Sequence, residues 1–445
     1  MTAGPNPECQ RQLWLNLSLQ RLLLMPALLA LGALAVVVSK PQALAASLSL
    51  AASVVGVLLV LVVGTRAAGQ TVTDEMTDQT WDQQRMSALS PWALTWGKLL
   101  GGTAYAWYGG VLCALVAVPL GWVADPGSPM GRLALLVVLV GLGLHALALA
   151  LALHLSQSAS AATRRTGLWP LLVVLAWVGM PLGQQGAPVA WWGGLHDPLA
   201  FGLASAAVFA ACAWATAWRC MAQALAVRLL PWGWPALALV VGLYLAGFHP
   251  AADATAGLSG VGLVAGAMTY AALLTEPQSR PRWARMVAAV QQQRWPAALW
   301  PLPLWAASAA LVWLVALFLS VWPLSPGAGL PGGPLAALSE QPLAAAALMT
   351  RDCAWALFFA FSGRSRTPVL NFLLWMLVWY VLLPLVAAGL GGEAAMALVL
   401  PIGAAQGWAT PGLSAGVAAV HAAVAVAALV WRWRQTAVPT PAGIR

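Results

Sequence analysis

Residues 77–99 read TDQTWDQQRMSALSPWALTWGKL and stand between two long apolar runs, Ala43 to Gly64 and Leu99 to Leu120. They gather Asp78, Asp82, Arg85 and Lys98, with Asp74 and Glu75 just before, in a chain of 445 residues of which only 7% are charged. An ordinary soluble domain carries about 25%. With 61% hydrophobic residues, this chain cannot cover itself with a water-compatible surface. The quoted segment is therefore a polar connection between two membrane crossings.

Further apolar runs occur at Leu22 to Val38, Leu133 to Leu155, Leu168 to Leu182, Leu199 to Trp218, Ala236 to Phe248, Gly257 to Leu274, Leu302 to Trp322, Pro368 to Leu390 and Pro411 to Trp431. Runs of roughly 20 apolar residues cross a hydrocarbon core about 30 Å thick. The expectation is an all-α polytopic membrane protein of about 12 transmembrane helices. The first run lacks a small-residue cleavage site and leads straight into the second, so it reads as a retained span rather than a signal peptide.

The net charge of +9 is spread in ones and twos over many loops, which points to topology rather than to nucleic acid. With both termini in the cytoplasm, 18 of the 21 Lys and Arg residues fall inside; Lys40 and Arg132 lie outside and Arg351 is undecided. The five cysteines have no metal-ligand spacing and read as small packing residues. The five histidines form no HExxH or HxxE arrangement, and no metal site is expected.

Within residues 65–98, Thr73 is expected to cap a helix whose first turns hold Asp74, Glu75 and Asp78, where negative charge suits the helix dipole. Ser90-Pro91 ends it and caps the next helix. A second long inward loop, residues 275–300, carries RWARMVAAV from Arg282, with a Trp and an Arg-Met pair as in TWDQQRMSAL from Thr80. The next inward turns, TRRTG from Thr163 and RSRTP from Arg364, follow at matching distances: Trp81 to Thr166 is 85 residues and Trp283 to Thr367 is 84. Order and spacing argue for a weak duplication, residues 1–218 and 219–445, with six spans in each half.

Six spans per half require a crossing within Pro334 to Phe361, where Arg351 and Asp352 stand. An ionised side chain at the bilayer centre costs about 2.5–3.5 kcal/mol on insertion scales. The pair is therefore expected at the inner interface or buried against protein, and Cys353 to Phe361 would then lie along the membrane surface. Before the last span of each half, GMPLGQQGAPVAWWGG and EAAMALVLPIGAAQGWATPG are broken by Gly and Pro and are expected to be partly re-entrant.

No GxxxxGK[ST] loop occurs, and GKLLGGT from Gly97 has its Lys in the wrong place. ATP-driven work would need a partner polypeptide. An ion-coupled transporter is one alternative, but it needs ionisable residues inside the bundle, and only Asp352 with Arg351 offers that. A haem-handling assembly protein is another, resting on the Trp-rich WWGGLHDP from Trp191, which lacks the longer tryptophan signature of such proteins.

The segment DEMTDQTWDQQRMSALSPWALTWGKLLGG resembles the loop between the second and third spans of the type-two ABC export permeases, six-helix-per-half exporters. The matching features are Glu75, Thr80-Trp81, Arg85, Leu89-Ser90-Pro91 and Gly97-Lys98. The stretch from Arg351, RDCAWALFFAFSGRSRTPVLNFLLWMLVWYVLLP, resembles the long variants with both halves in one chain. The resemblance implies a coupling helix that seats in a separate ATP-binding subunit, through Asp74, Glu75, Asp78, Trp81, Asp82, Gln84 and Arg85. In the second loop it implies the same for Arg282, Trp283, Arg285 and Met286, although that loop is basic and has no acid beyond Glu276. It further implies no cofactor bound by this chain, ATP and Mg on two copies of the partner subunit, contact with membrane lipid, and location in a bacterial inner membrane. The cargo would be a small molecule or lipid, and a cavity walled by Leu, Ala, Val and Trp favours a lipophilic or amphipathic one.

Overall fold

A computed structural model describes residues 6–39, 41–156, 187–227, 229–249, 253–276, 278–321, 341–362, 367–401 and 410–435. The expected fifth span, Lys40, and the turns carrying Arg164, Arg165, Arg364 and Arg366 lie outside these residues. The described chain is helical apart from one short hairpin, and ten of its helices are long and apolar enough to cross a membrane. The protein is an all-α polytopic membrane protein. The chain divides into two compact units, Met1–Val189 with Leu195–Leu229, and Ala190–Gly194 with Leu230–Arg445.

The first unit opens with α1 (Pro7–Asn16), whose Asn6 cap accepts from the amides of Glu8 and Cys9. Next come α2 (Leu19–Ser39) and α3 (Leu44–Thr77), the latter interrupted by a π-helical stretch at Leu58–Gly64. Short α4 (Trp81–Arg85) and α5 (Pro91–Trp96) lead through a π-helical Gly97–Gly101 into α6 (Ala104–Ala124). The unit continues with α7 (Met130–Ser156) and α8 (Pro198–Ala224). Helix α3 packs on α6 and α7, and α7 on α8, around a core that includes Leu144, Leu149, Leu153, Ala217 and Met221.

The second unit holds α9 (Gly233–Ala246), α10 (Ala254–Thr275), α11 (Arg280–Gln291), α12 (Trp295–Leu299), α13 (Leu304–Val321), α14 (Pro342–Ala360), α15 (Pro368–Gly392) and α16 (Pro411–Gln435). Here α10 packs on α13, and α14 on α16. These are the counterparts in order of α3 with α6 and of α7 with α8. The joint expected at 218/219 falls inside α8, which runs on to Ala224, and the units separate after Leu229.

Two expectations need correction. Thr73 does not cap a new helix: α3 is continuous for 34 residues, about 51 Å at 1.5 Å per residue, so its last turns outrun a hydrocarbon core. Nothing between Gly64 and Asp74 stops a helix, and Thr73 Oγ1 donates back to Gly69 O. Asp74 and Glu75 therefore lie in a last turn, where the dipole disfavours negative charge, and α3 ends beyond them at Gln79 (φ 57°), with Thr80 N donating to Glu75 O. Likewise, Cys353 to Ala360 do not leave the membrane-crossing direction but complete α14, and Cys353 and Phe361 are buried. The Ser90 cap holds, its hydroxyl accepting from Ala93 N at 3.1 Å.

Of the two outer segments, the first folds at its described end into a hairpin, β1 (Val189–Trp191) and β2 (Gly194–His196), turned by Trp192 and Gly193 at positive φ. Trp191 Nε1 donates to Tyr244 O, and Trp192 N to Gly247 O, so these tryptophans are committed to packing on α9. The second bends at Gly392 (φ 60°, ψ −150°) into a short helix over 393–399.

Helices α9 and α10 approach closely: a Cβ on Gly242 would lie 2.5 Å from Val261 Cα and 2.9 Å from Gly260 O. Because the obstruction is backbone, Gly242→Leu should force the helices apart at a cost of about 1–3 kcal/mol. Differential scanning of the purified chain should show the loss, and Gly266→Leu, facing open space, should not.

Candidate functional site

The loop after α3 is organised by a buried carboxylate. Glu75 accepts from Lys98 Nζ at 2.6 Å, from Gln84 Nε2 at 2.7 Å and from Arg11. Lys98 is fully buried at the foot of the third crossing and also lies 3.2 Å from Glu8 Oε1. Arg11 grips Glu8 with Nε and Nη2, both at 2.9 Å. Two carboxylates and two cations thus neutralise one another where α1, α3, α4 and the start of the third crossing meet. Burial pushes the Glu8 carboxyl up, but the Arg11 hydrogen bonds and the Lys98 charge outweigh it and hold the group below the usual carboxylate range.

Helix α1 reaches this position because Gly97 and Gly101 leave room. A Cβ on Gly97 would meet the Glu8 side chain at 2.9 Å, and one on Gly101 the Gln12 side chain at 2.7 Å. Asn6 Nδ2 closes the contact by donating to Ala93 O at 2.7 Å. The sequence reading missed Glu8, Arg11 and Gln12. The signal was present in NPECQRQL: a capping Asn, a Pro at the first helical position, and polar residues at spacings three and four on one face.

The seven residues expected in this loop divide in two. Glu75 and Trp81 are buried, Trp81 with its ring 5.8 Å from Lys98 Nζ, and Gln84 is half-buried. Asp74, Asp78, Asp82 and Arg85 are exposed, and the Arg85–Asp82 pair at 3.5 Å is a surface contact with an 82% exposed carboxylate. The inner set ties the loop to the helix feet, while the outer set presents a mainly acidic face.

The second unit repeats the tie with a different surface. Glu276, at the end of α10, accepts from Arg282 Nη1 at 2.7 Å and from Leu304 N, the first residue of α13, at 2.9 Å. Arg282 also donates to Pro301 O. Trp283 lies against Trp305, ring centres 5.7 Å apart, and Trp305 donates to Gln278 Oε1. Glu276 therefore does for α10, α11 and α13 what Glu75 does for α3, α4 and the third crossing. Met286 is buried, whereas Arg285 and Arg294 are exposed, so this outer face is basic.

Arg351 and Asp352 sit within α14 and are buried. Asp352 Oδ1 accepts from Arg351 Nε at 2.9 Å, and Arg351 Nη2 stands at ion-pair distance, 2.9 Å, without a hydrogen bond. Asp352 Oδ2 accepts from Tyr270 of α10 at 2.7 Å and Tyr380 of α15 at 2.6 Å. The guanidinium carbon lies 5.1 Å from the ring centres of Trp375, Trp379 and Tyr380. Of the two expected placements, burial against protein is the one observed, because four polar contacts and three aromatic faces replace water.

In the first unit, His145 of α7 occupies the π-helical part of α3, with Nε2 2.9 Å from Val60 O and its ring 5.3 Å from Trp107. Gly64 makes this possible, since a Cβ there would lie 2.4 Å from Nε2. His154, nine residues on, is exposed on the opposite face. Comparison of the chain with protein-family models, with curated proteins and with solved structures finds no match.

Proposed function

We propose that this chain is the transmembrane permease subunit of an ATP-driven exporter, with separate ATP-binding subunits seated on its two loops and Mg-ATP held by those subunits. Supporting this reading above all is the construction of the loops: a charged outer face, tied through one inward-facing glutamate, buried at Glu75 and half-buried at Glu276, to the feet of the second and third crossings of the same unit. A push on such a helix reaches the spans without first dissipating in a flexible loop. In this scheme the loops and both termini face the cytoplasm of a bacterial inner membrane. Nucleotide binding favours one of two inward- and outward-facing arrangements, and a lipophilic or amphipathic cargo moves between them. The chain itself performs no hydrolysis; it supplies contacts that differ between the two states.

The acidic and basic outer faces predict unequal docking sites. Asp74→Lys, Asp78→Lys and Asp82→Lys together touch only exposed side chains, so stability should change by less than about 0.5 kcal/mol per site. ATPase co-purifying with the tagged chain should fall at least tenfold. Undiminished co-purification together with ATP-driven transport in reconstituted vesicles would sink the assignment.

A second reading, ion-coupled transport, is favoured by one observation, the buried Asp352 with two tyrosine hydroxyls on one oxygen. Transport by the isolated chain under a proton gradient, with no ATPase present, would establish it in place of the first.

A further inference from the structure

Arg351 has the surroundings of a bound organic cation. Three aromatic rings at one distance and a carboxylate behind them form the kind of box that recognises guanidinium and alkylammonium groups. The box fits a guanidinium because it holds one.

Two features make Arg351 a replaceable occupant rather than a fixed strut. Its Nη1 is buried and has no hydrogen-bond partner among the described residues, so the guanidinium is incompletely satisfied where it lies. Asp352, by contrast, keeps the Tyr270 and Tyr380 hydroxyls whether or not Arg351 stays.

The box also has a thin wall. Trp379 and Tyr380 stand on the π-helical Val378–Leu382 of α15, and such irregular turns mark places where a helix is locally re-formed, often at functional sites. Trp375, Trp379 and Tyr380 are only half-buried, and Leu374, Leu377 and Val381 of the same helix are exposed. In a membrane-spanning helix that exposed face meets hydrocarbon, so one layer of side chains separates the carboxylate from the bilayer.

We propose that Asp352, Tyr270, Tyr380, Trp375 and Trp379 form a binding site for an organic cation with an apolar tail, and that Arg351 is its built-in occupant, displaced when the cation arrives from the bilayer. The exchange swaps one cation for another, so the buried carboxylate is never left alone. The flexible Arg351 stem lets the displaced guanidinium snorkel away from the site. His421 of α16, against Trp379 at 5.3 Å, and Cys353, next to Asp352 and buried, are the other titratable neighbours, and in their neutral forms neither competes as a cation for Asp352. This names a cargo class for the permease proposed above and rests on that reading only for the word cargo.

The test is equilibrium dialysis of octylguanidine against the full-length chain in nanodiscs, with octyl sulfate as the tail control. Arg351→Met should bind octylguanidine at least tenfold more tightly than the unaltered chain. Adding Asp352→Asn should abolish that gain, and octyl sulfate binding should follow neither change. Equal affinity in Arg351→Met and the unaltered chain, or a gain that survives Asp352→Asn, overturns the proposal. If Arg351→Met does not fold, Trp379→Ala in the otherwise unaltered chain decides: binding should fall at least fivefold, and unchanged binding overturns the site. No ATPase enters these measurements, so their failure leaves the permease reading standing, and loss of that reading leaves them valid.

Discussion

Lys98→Met is expected to cost about 3–5 kcal/mol, the loss typical of removing one partner from a buried ion pair. Lys98 is fully buried between Glu75 and Glu8, and methionine keeps the stem volume while leaving the two carboxylates with Arg11 alone. Arg11 is itself half-exposed and cannot neutralise both. The first unit should therefore lose the contact between α1 and the foot of the third crossing before its apolar core fails. Hydrogen exchange should show early loss of protection in Pro7–Asn16, accompanied by a lower thermal midpoint in the intrinsic tryptophan signal. Adding Glu75→Gln, which removes one of the two charges and keeps an acceptor for Gln84, should restore part of the loss. If the double variant is less stable than Lys98→Met, the cluster is not held by charge.

Asp352→Ala should be of similar size, about 3–5 kcal/mol, and larger than Arg351→Ala. The asymmetry follows from the hydrogen bonds. Without Asp352, the buried guanidinium loses its counter-charge among the described residues, and Tyr270 and Tyr380 lose the acceptor they share, with about 1–3 kcal/mol at stake for each buried group left unmade. Without Arg351, the carboxylate still accepts two hydroxyls. Thermal unfolding of both single variants in nanodiscs checks the order; Arg351→Ala proving the more damaging would show that the aromatic enclosure, rather than Asp352, holds the pair in place.

Several parts of this molecule were legible in its sequence because they depend on short-range chemistry. The spans follow from apolar length, and the Ser90 cap from a hydroxyl one residue before proline. Landmarks at nearly equal spacing raised the expectation of a weak duplication, and the ties at Glu75 and Glu276 stand at corresponding places along the two stretches. Other parts were not legible. The end of α3 was misplaced because a polar stretch after an apolar one looks like a loop, whereas a helix long enough to outrun the membrane continues into water without needing apolar residues. The resemblance implied a docking role for Trp81, and the structure places its side chain buried against Lys98. Glu276 stood out in sequence only as the single acid of a basic loop, whereas in the structure it ties α10 to Arg282 and to the start of α13.

Hydropathy and charge are properties of residues in order, and they make this an all-helical membrane protein with two charged loops of unlike sign. Which charges face inward follows instead from contacts between residues far apart in the chain. Glu8 lies 67 residues from Glu75, and Tyr270 lies 82 from Asp352. Whether a carboxylate becomes a buried tie or an exposed face depends on which donors other helices bring to it, and the low-dielectric interior turns that meeting into the difference between a stable cluster and an excluded charge.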